Sequence, residues 1–397
     1  MPLRIAVIDP SLYTPPYDQA LVGGLASLGH DVRLYGPAGG ESQLSSSKSF
    51  RYYGHFYRLL GIPSVRALPR PLVRTVKGAS HAGSMLSLAR GLASYRPDAI
   101  HFQWVPLPVI DRVFLPALRQ IAPLVLTVHD SNPFNGNPNS RLEGLGAHKI
   151  LSAFDGLIVH TDQALKRMLT LAIPAAKLHK GAHGRLSVGA GRASVAVDRP
   201  GDDRLELLLF GKVKPYKGID VLIDAVGMLD SIRRDRIKVR VVGKPYQPTA
   251  PLVELAASRG VSANFEFEFR FVPDAELAGM FVRAAALVFP YREIDASGVL
   301  MVGLDAGRPV IASAIGNFAE ILADGQDSLL VPPGDAHALA GALQRFIDDS
   351  ALRMKLREGV CRLRNRIPDW SAIANSTVDV YAAAGQGSLA RAEEARS

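Results

Sequence analysis

Pro290–Glu320, PYREIDASGVLMVGLDAGRPVIASAIGNFAE, takes an apolar strand end into a polar loop, a Ser-Gly helix start, and a second strand that closes on Gly and Glu. The apolar run Leu287–Phe289 just before it suits a strand buried on both faces of a parallel sheet. Ser297-Gly298 then opens a helical stretch whose first amides lack backbone acceptors. With the helix dipole, such amides form a cradle for a phosphate. Arg292, Glu293 and Asp295, in the intervening loop, stand where they could read whatever the phosphate carries. Taken alone, the same residues also suit an ordinary strand-loop-helix crossover with solvated charges.

Some 80 residues upstream lies LELLLFGKVKPYKGIDVLIDAV, from Leu205 to Val226. Leu205–Phe210 is a second buried-strand candidate, Gly211 ends it, and Lys212, Lys214 and Lys217 crowd the loop before a helix. Ligands of open parallel sheets sit outside the carboxyl ends of the strands, so the two loops are expected to face one crevice.

On these residues the chain resembles the family 4 glycosyltransferases, retaining enzymes of the GT-B fold. The resemblance is carried by Phe210-Gly211-Lys212, Lys217-Gly218, Val242-Gly243, Phe271-Val272-Pro273 with Asp274 and Glu276, Pro290-Tyr291-Arg292, Ser297-Gly298, Gly307-Arg308-Pro309-Val310 and Gly316 through Glu320. It covers most of Leu205–Pro333 and is weaker in the first half, through Gly29-His30-Asp31-Val32 and Leu126-Thr127-Val128-His129-Asp130. The fold it implies is α/β, with two Rossmann-like doubly wound parallel-sheet domains facing a central cleft.

The strand candidates agree with two such sets. Arg4–Ile8, Val32–Tyr35, Ala99–Gln103, Leu124–Val128 and Leu157–His160 alternate with stretches long enough for crossover helices. A second series follows, with Glu206–Phe210, Val239–Val242, Phe265–Phe271, Leu287–Phe289, Val310–Ala312 and Ser328–Val331. FEFEFRF, Phe265–Phe271, alternates strictly and is expected to bury one face. The expected organisation is an acceptor-binding domain over 1–185, a Gly/Ala/Ser/Arg-rich linker over 186–203, and a nucleotide-sugar domain over 204–366. A helix over 367–384 resembles the one that GT-B enzymes fold back to the first domain, and 385–397 reads as a mobile polar tail.

With 397 residues and 48% hydrophobic content, the chain is long enough for two cores. No run approaches the roughly 18 apolar residues that span a bilayer, and the start runs straight into RIAVI without a secretory pattern. A single cysteine, Cys361, excludes an intrachain disulfide framework, so a cytoplasmic protein is expected.

Between Glu41 and Asp98 there is no acidic residue, yet the interval holds nine Lys and Arg, equal to the whole net charge of +9. Within it, FYRLLGIPSVRALPRPLVRTVKG sets Arg58, Arg66, Arg70 and Arg74 among apolar residues. Such a segment, here 48–96, suits attachment to an anionic membrane surface at the inner face of the cell membrane. A basic pocket for a soluble anionic acceptor, or a plain solvated face, are the other readings. Pro63, Pro69 and Pro71 argue against one long helix, so two short helices or a helix with an irregular loop are expected. Nucleic-acid binding is disfavoured because the excess is confined to one segment and no nucleic-acid motif accompanies it.

The resemblance implies a hexosyltransferase that takes a nucleotide-diphosphate sugar as co-substrate, with no cofactor and no metal. Catalysis then turns on the negative charge that builds on the β-phosphate as the glycosidic bond breaks, where fixed cations and amides act most strongly. Lys212 and Lys217 take this role by resemblance, with Gly211, Ser297 and Gly298 in the donor site and Arg292, Glu293, Asp295 and Glu320 as further donor contacts. Glu293 would stabilise positive charge near the anomeric carbon. The family commonly has a second glutamate eight positions on, near the ribose; here Met301 or Val302 stands in its place and the nearest acid is Asp305. His129, with Asp130 and Asn132 beside it, marks the acceptor side, where a structural histidine is the other reading. Asn135, Asn137 and Asn139 supply either contacts or turns.

The absence of Asp-x-Asp, of Gly-x-Ser-x-Gly and of Gly-x-Gly-x-x-Gly argues against a metal-dependent transferase, a serine hydrolase and a dinucleotide enzyme. The expected activity is transfer to a hydroxyl of a lipid-linked saccharide in polysaccharide biosynthesis. A soluble acceptor, a sugar-nucleotide epimerase, or a non-catalytic sugar-nucleotide or membrane-surface binding protein are the alternatives. Donor base, sugar, linkage and oligomeric state are not encoded in any motif.

Overall fold

The computed structural model describes residues 1–44, 49–131, 147–187 and 204–394. The chain divides into two units, 1–184 with 368–397, and 185–367. Each holds one entirely parallel sheet, as the alternating apolar runs predict.

The first unit has β1 Arg4–Ile8, β2 Asp31–Pro37, β3 Arg51–Phe56, β4 Ala99–Phe102, β5 Leu124–Val128, β6 Gly156–Val159 and β7 Leu178–Lys180, in spatial order β3-β2-β1-β4-β5-β6-β7. β4, β5 and β6 are buried along their whole length, the pattern of strands covered by helices on both faces. The strand order reverses between β1 and β4, so the ligand crevice of this sheet opens beyond Ile8 and Phe102. The terminal helix Trp370–Glu394 packs on Pro15–Ser27 within this unit. The approach is close: a Cβ on Gly24 would lie 2.4 Å from the Trp370 carbonyl oxygen, so only glycine fits there. The helix runs on through Glu394, where a mobile tail from Gly385 was expected.

The second unit has β8 Leu205–Phe210, β9 Ile237–Val242, β10 Phe265–Glu268, β11 Ala286–Phe289, β12 Val310–Ser313 and β13 Ser328–Val331, ordered β10-β9-β8-β11-β12-β13. Its switch point lies between β8 and β11, the strands that lead into Gly211 and Pro290. β10 is one of the two edge strands. Phe265, Phe267 and Phe269 stack in a row against the core, while Glu266 and Glu268 on the other face pair with Lys238 and Arg240. The strand stops at Glu268, short of Phe271, which is exposed.

The basic segment departs from expectation. It begins as strand β3, passes through a short turn over Arg58–Gly61 and a four-residue helix Pro63–Arg66, and then enters a 26-residue helix, Arg70–Tyr95. Pro69 and Pro71 occupy the cap and first turn of that helix, where a missing N–H costs nothing, so they start it instead of breaking it. Leu59, Ile62, Leu68 and Leu72 are exposed along this stretch together with Arg58 and Arg74. The side chains of Arg66 and Arg70, like residues 45–48 and most of the expected linker, lie outside the described set. Among the described residues, no helix is long and apolar enough to cross a membrane.

Candidate active site

In the second unit, the loops after β8 and β11 are pressed together. Gly218, at φ +63°, caps the helix Ile219–Gly227, and a Cβ there would fall 1.9 Å from the Pro290 carbonyl oxygen. The Arg292 amide donates to the Tyr216 carbonyl at 2.7 Å and locks the two loops in register. Lys217, 5% exposed, donates from Nζ to Tyr291 Oη at 2.5 Å, and its ammonium sits 4.5 Å from that ring's centroid. Burial, then the neighbouring Lys214 and Lys212, pull the Lys217 ammonium down to about 7. Lys212 is lowered in the same way, by burial first and then by Lys214 and Lys244.

A Cβ on Gly211 would meet Lys217 Nζ at 3.0 Å and Val299 Cγ2 at 3.4 Å, so Lys217 and the first turn of the helix Gly298–Asp305 converge on this glycine. Ser297 caps that helix, with Oγ accepting from the Leu300 amide at 3.3 Å. Its own amide is taken by Asn317 Oδ1 at 3.1 Å, which leaves Gly298 and Val299 as the amides the helix start can present. Asn317 is buried, and its Nδ2 has no hydrogen-bond partner among the described residues.

The site is thus a cation-rich notch at a sheet switch point, with Lys217 buried at its base and a helix start on one wall. Like charges crowded together in low dielectric are costly alone and favourable once an anion arrives. A diphosphate fits that chemistry.

The sequence-predicted residues distribute unevenly. Glu293 is half-buried, Asp295 is buried with its carbonyl accepting from the Asn317 amide, and Glu320 is exposed. Arg292 is exposed and holds Asp220 through two bonds of 2.8 and 2.6 Å, so its guanidinium is engaged on the first turn of Ile219–Gly227. Asp305, the acid nearest the missing glutamate, is paired with Arg185 at 3.2 Å and Arg364 at 3.7 Å. Met301 is fully buried in the core.

In the first unit, the switch-point strands deliver Asp9, Gln103 and Trp104, and β5 delivers His129. His129 stacks on Trp104 with centroids 5.2 Å apart and meets the edge of Tyr17 at 4.7 Å. His160 and His183 complete the cluster around Tyr17. Burial, reinforced by His160, His183 and His101, pushes His129 well below the ordinary imidazole range, so the ring is neutral. Asp130 is half-buried beside it, and Asn132, Asn135, Asn137 and Asn139 lie outside the described residues. Among those described, no three His, Cys, Asp or Glu side chains converge as a metal site.

Comparison with known proteins decides the family. The profile of the glycosyl transferases group 1 matches residues 204–349, and that of the glycosyl transferase 4-like domain matches 16–179. A D-inositol 3-phosphate glycosyltransferase of Streptomyces bingchenggensis is 30% identical over 362 residues, which cover 82% of this chain and 78% of that one. The chain is a family 4 glycosyltransferase. Solved structures share the fold: sucrose-phosphate synthase of Thermosynechococcus elongatus aligns with TM-score 0.73 at 20% identity, covering 96% of this chain and 98% of that one. Anabaena HepE in complex with UDP-glucose aligns with TM-score 0.72 at 14% identity, covering 96% and 99%. Both sheets of this family 4 glycosyltransferase therefore have the GT-B Rossmann-like form expected from its strands.

Three residues of the candidate site were given no role by the sequence reading. Lys244 follows Gly243 at the end of β9, repeating the strand-Gly-Lys order of Phe210-Gly211-Lys212, and shares Tyr246 with Lys212 at 5.8 and 5.9 Å. Tyr291 and Asn317 stood within the motifs of the resemblance, but their roles had no local signal, because their partners Lys217 and Ser297 are 74 and 20 residues away.

Proposed function

We propose that this glycosyltransferase moves a hexosyl group, with retention and without a metal, from a nucleotide-diphosphate sugar to a hydroxyl of a lipid-linked saccharide in polysaccharide biosynthesis at the cytoplasmic membrane face. The carrying observation is Lys217, buried against Tyr291 beside Lys212 and opening on the helix start at Gly298. As the bond from sugar to β-phosphate lengthens, the leaving diphosphate gains charge, and Lys217, Lys212 and the Gly298 and Val299 amides meet it without reorganising. Glu293, with Asp295, holds sugar hydroxyls and offsets positive charge at the anomeric carbon. His129, neutral and held between Trp104 and Tyr17, offers a hydrogen bond on the acceptor side of the reacting sugar.

UDP-sugars are the first donors to try, since HepE holds UDP-glucose. The exposed Leu59, Ile62, Leu68 and Leu72 beside Arg58 and Arg74 support a membrane-borne acceptor. A soluble inositol phosphate is the second reading, favoured by the activity named for the Streptomyces relative.

UDP release from UDP-glucose and related UDP-sugars, with membrane extract or D-inositol 3-phosphate as acceptor, tests both. Turnover surviving a chelator and giving an anomer-retained product is expected; tight UDP-sugar binding with no turnover under any of these conditions would sink the reading. Binding to anionic vesicles should weaken with salt and be lost when Arg58, Arg66, Arg70 and Arg74 are replaced by Ala; unchanged binding removes the membrane clause.

A further inference from the structure

Behind His129 runs a buried chain of hydrogen bonds. His129 Nε2 lies 2.9 Å from Gln103 Oε1, Gln103 Nε2 lies 3.3 Å from His101 Nε2, and His101 Nδ1 lies 2.8 Å from Tyr381 Oη on the terminal helix. Thr127 Oγ1 sits 2.8 Å from His101 Nε2. Gln103 and His101 are fully buried, Thr127 and Tyr381 almost so, and water does not compete for these groups.

The chemistry of the primary amide gives this chain one direction. An amide oxygen only accepts and an amide nitrogen only donates. His129 therefore carries its proton on Nε2 and donates it to Gln103. Gln103 donates in turn to His101 Nε2, a nitrogen whose one lone pair is shared between the Gln103 amide at 3.3 Å and the Thr127 hydroxyl at 2.8 Å. His101 must then carry its proton on Nδ1 and donate it to Tyr381. In a neutral imidazole the proton on one nitrogen leaves the other as an acceptor, so the same chain leaves Nδ1 of His129 as its lone-pair atom.

We infer that Gln103 is a positioning residue for sugar transfer: it fixes His129 in the Nε2–H tautomer, anchored through His101 to Tyr381, so that His129 presents a neutral acceptor at Nδ1. The inference rests on the proposed place of His129 beside the reacting sugar, and goes beyond it by naming what sets the ring's proton.

A carboxylate at this position would act oppositely. It would accept from both histidines, force His101 to its Nε2–H form, and favour an imidazolium at His129. The groups facing His129 are Tyr17, Trp104, His160, His183 and Gln103 itself, with His101 behind, so a carboxylate would bring a negative charge into a cluster of aromatic and neutral imidazole groups.

The test is long-range ¹H–¹⁵N NMR on the full chain with ¹⁵N-labelled histidine, with His129 assigned from a His129→Asn sample, alongside steady-state release of UDP from UDP-glucose. Wild type should show His129 as Nε2–H across neutral pH. Gln103→Leu should give mixed tautomers and lower kcat by about tenfold, the scale of one lost neutral hydrogen bond, with KM for UDP-glucose little changed. Gln103→Glu, which keeps the size and the acceptor, should raise the pH at which His129 titrates and move the acid limb of the kcat profile with it. Tyr381→Phe, which removes the anchor, should loosen the tautomer in the same sense as Gln103→Leu.

An Nδ1–H ring in wild type, or a His129 tautomer unmoved in Gln103→Leu and unshifted titration in Gln103→Glu, overturns the inference. Mixed tautomers in Gln103→Leu at unchanged kcat uphold Gln103 as the residue that sets the proton, and instead remove His129 from the transfer step.

Discussion

Replacing Lys217 by Met tests whether the donor site stores electrostatic tension. In the folded chain the Lys217 ammonium titrates near 7, against an ordinary 10.5, because it is buried first and crowded by Lys214 and Lys212 second. For a base whose folded pKa is depressed, the unfolded chain holds the proton between these two values and the folded chain does not. Stability therefore rises with pH across the window from 7 to 10.5, and the penalty is complete below 7. Integrated over the shift, the penalty is roughly 5 kcal/mol below pH 7 and roughly 2 kcal/mol at pH 9. Lys217→Met removes the charge and with it this dependence, while the lost bond to Tyr291 Oη is a pH-independent offset.

Urea unfolding of both chains at pH 6.5 and pH 9 isolates the effect, because terms common to the two chains cancel. The stability of Lys217→Met relative to wild type should be greater at pH 6.5 than at pH 9 by roughly 2 to 3 kcal/mol. Binding of UDP gives a second reading: a diphosphate that restores the ammonium should draw in about half a proton at pH 7 and nearly a whole one at pH 8.5. Calorimetry in buffers of different ionisation enthalpy measures this directly. A constant stability gap, together with UDP binding that takes up no proton at pH 8.5, would refute the argument.

Gly218→Ala places a side chain at φ +63° and 1.9 Å from the Pro290 carbonyl oxygen, so it should cost about 2 kcal/mol or more and lower the thermal midpoint; an unchanged midpoint counts against the loop contact. Asp305→Asn should weaken the pairs with Arg185 and Arg364 by about 1 kcal/mol and leave the Kd for UDP unchanged, whereas a large loss of UDP affinity would place Asp305 at the ribose. Asp18, buried beside Asp9, has its carboxyl raised well above the usual range by burial and by Asp9. That raised pKa costs stability as pH climbs above the ordinary carboxylate value, so Asp18→Asn should gain on wild type from pH 4 to pH 8; parallel profiles would show that Asp18 is ionised.

The strands legible in the sequence are those buried on both faces, because an apolar run such as Leu124–Val128 has no other stable setting in a soluble chain. β3 and β7 were missed for opposite reasons. RYYGHF carries a glycine and polar residues because it is an edge strand, only half covered, and LHK is too short to show a period. The helix Arg70–Tyr95 was hidden by Pro69 and Pro71, which forbid a helix interior but suit its first turn; composition alone does not say which side of a proline the helix lies on. At the candidate site, the placement of Gly211, Lys212, Lys217 and the Ser297 cap was legible because each is fixed by its own strand end or helix start. The Lys217–Tyr291 and Ser297–Asn317 bonds were not, since they depend on which strand ends the sheet order makes neighbours.

The two switch points divide the electrostatic work in a way that follows from this topology. The second unit gathers Lys212, Lys214, Lys217 and Lys244 at the ends of β8 and β9, where the buried Lys217 ammonium is crowded by Lys214 and Lys212. The first unit places His101, His129, His160 and His183 near one another under burial that holds all four below the ordinary imidazole range. Burial keeps these rings neutral, and Gln103 contacts two of them, His129 and His101. Cations at one switch point and neutral rings at the other thus follow from what each sheet's strand ends bring together and how deeply they bury it.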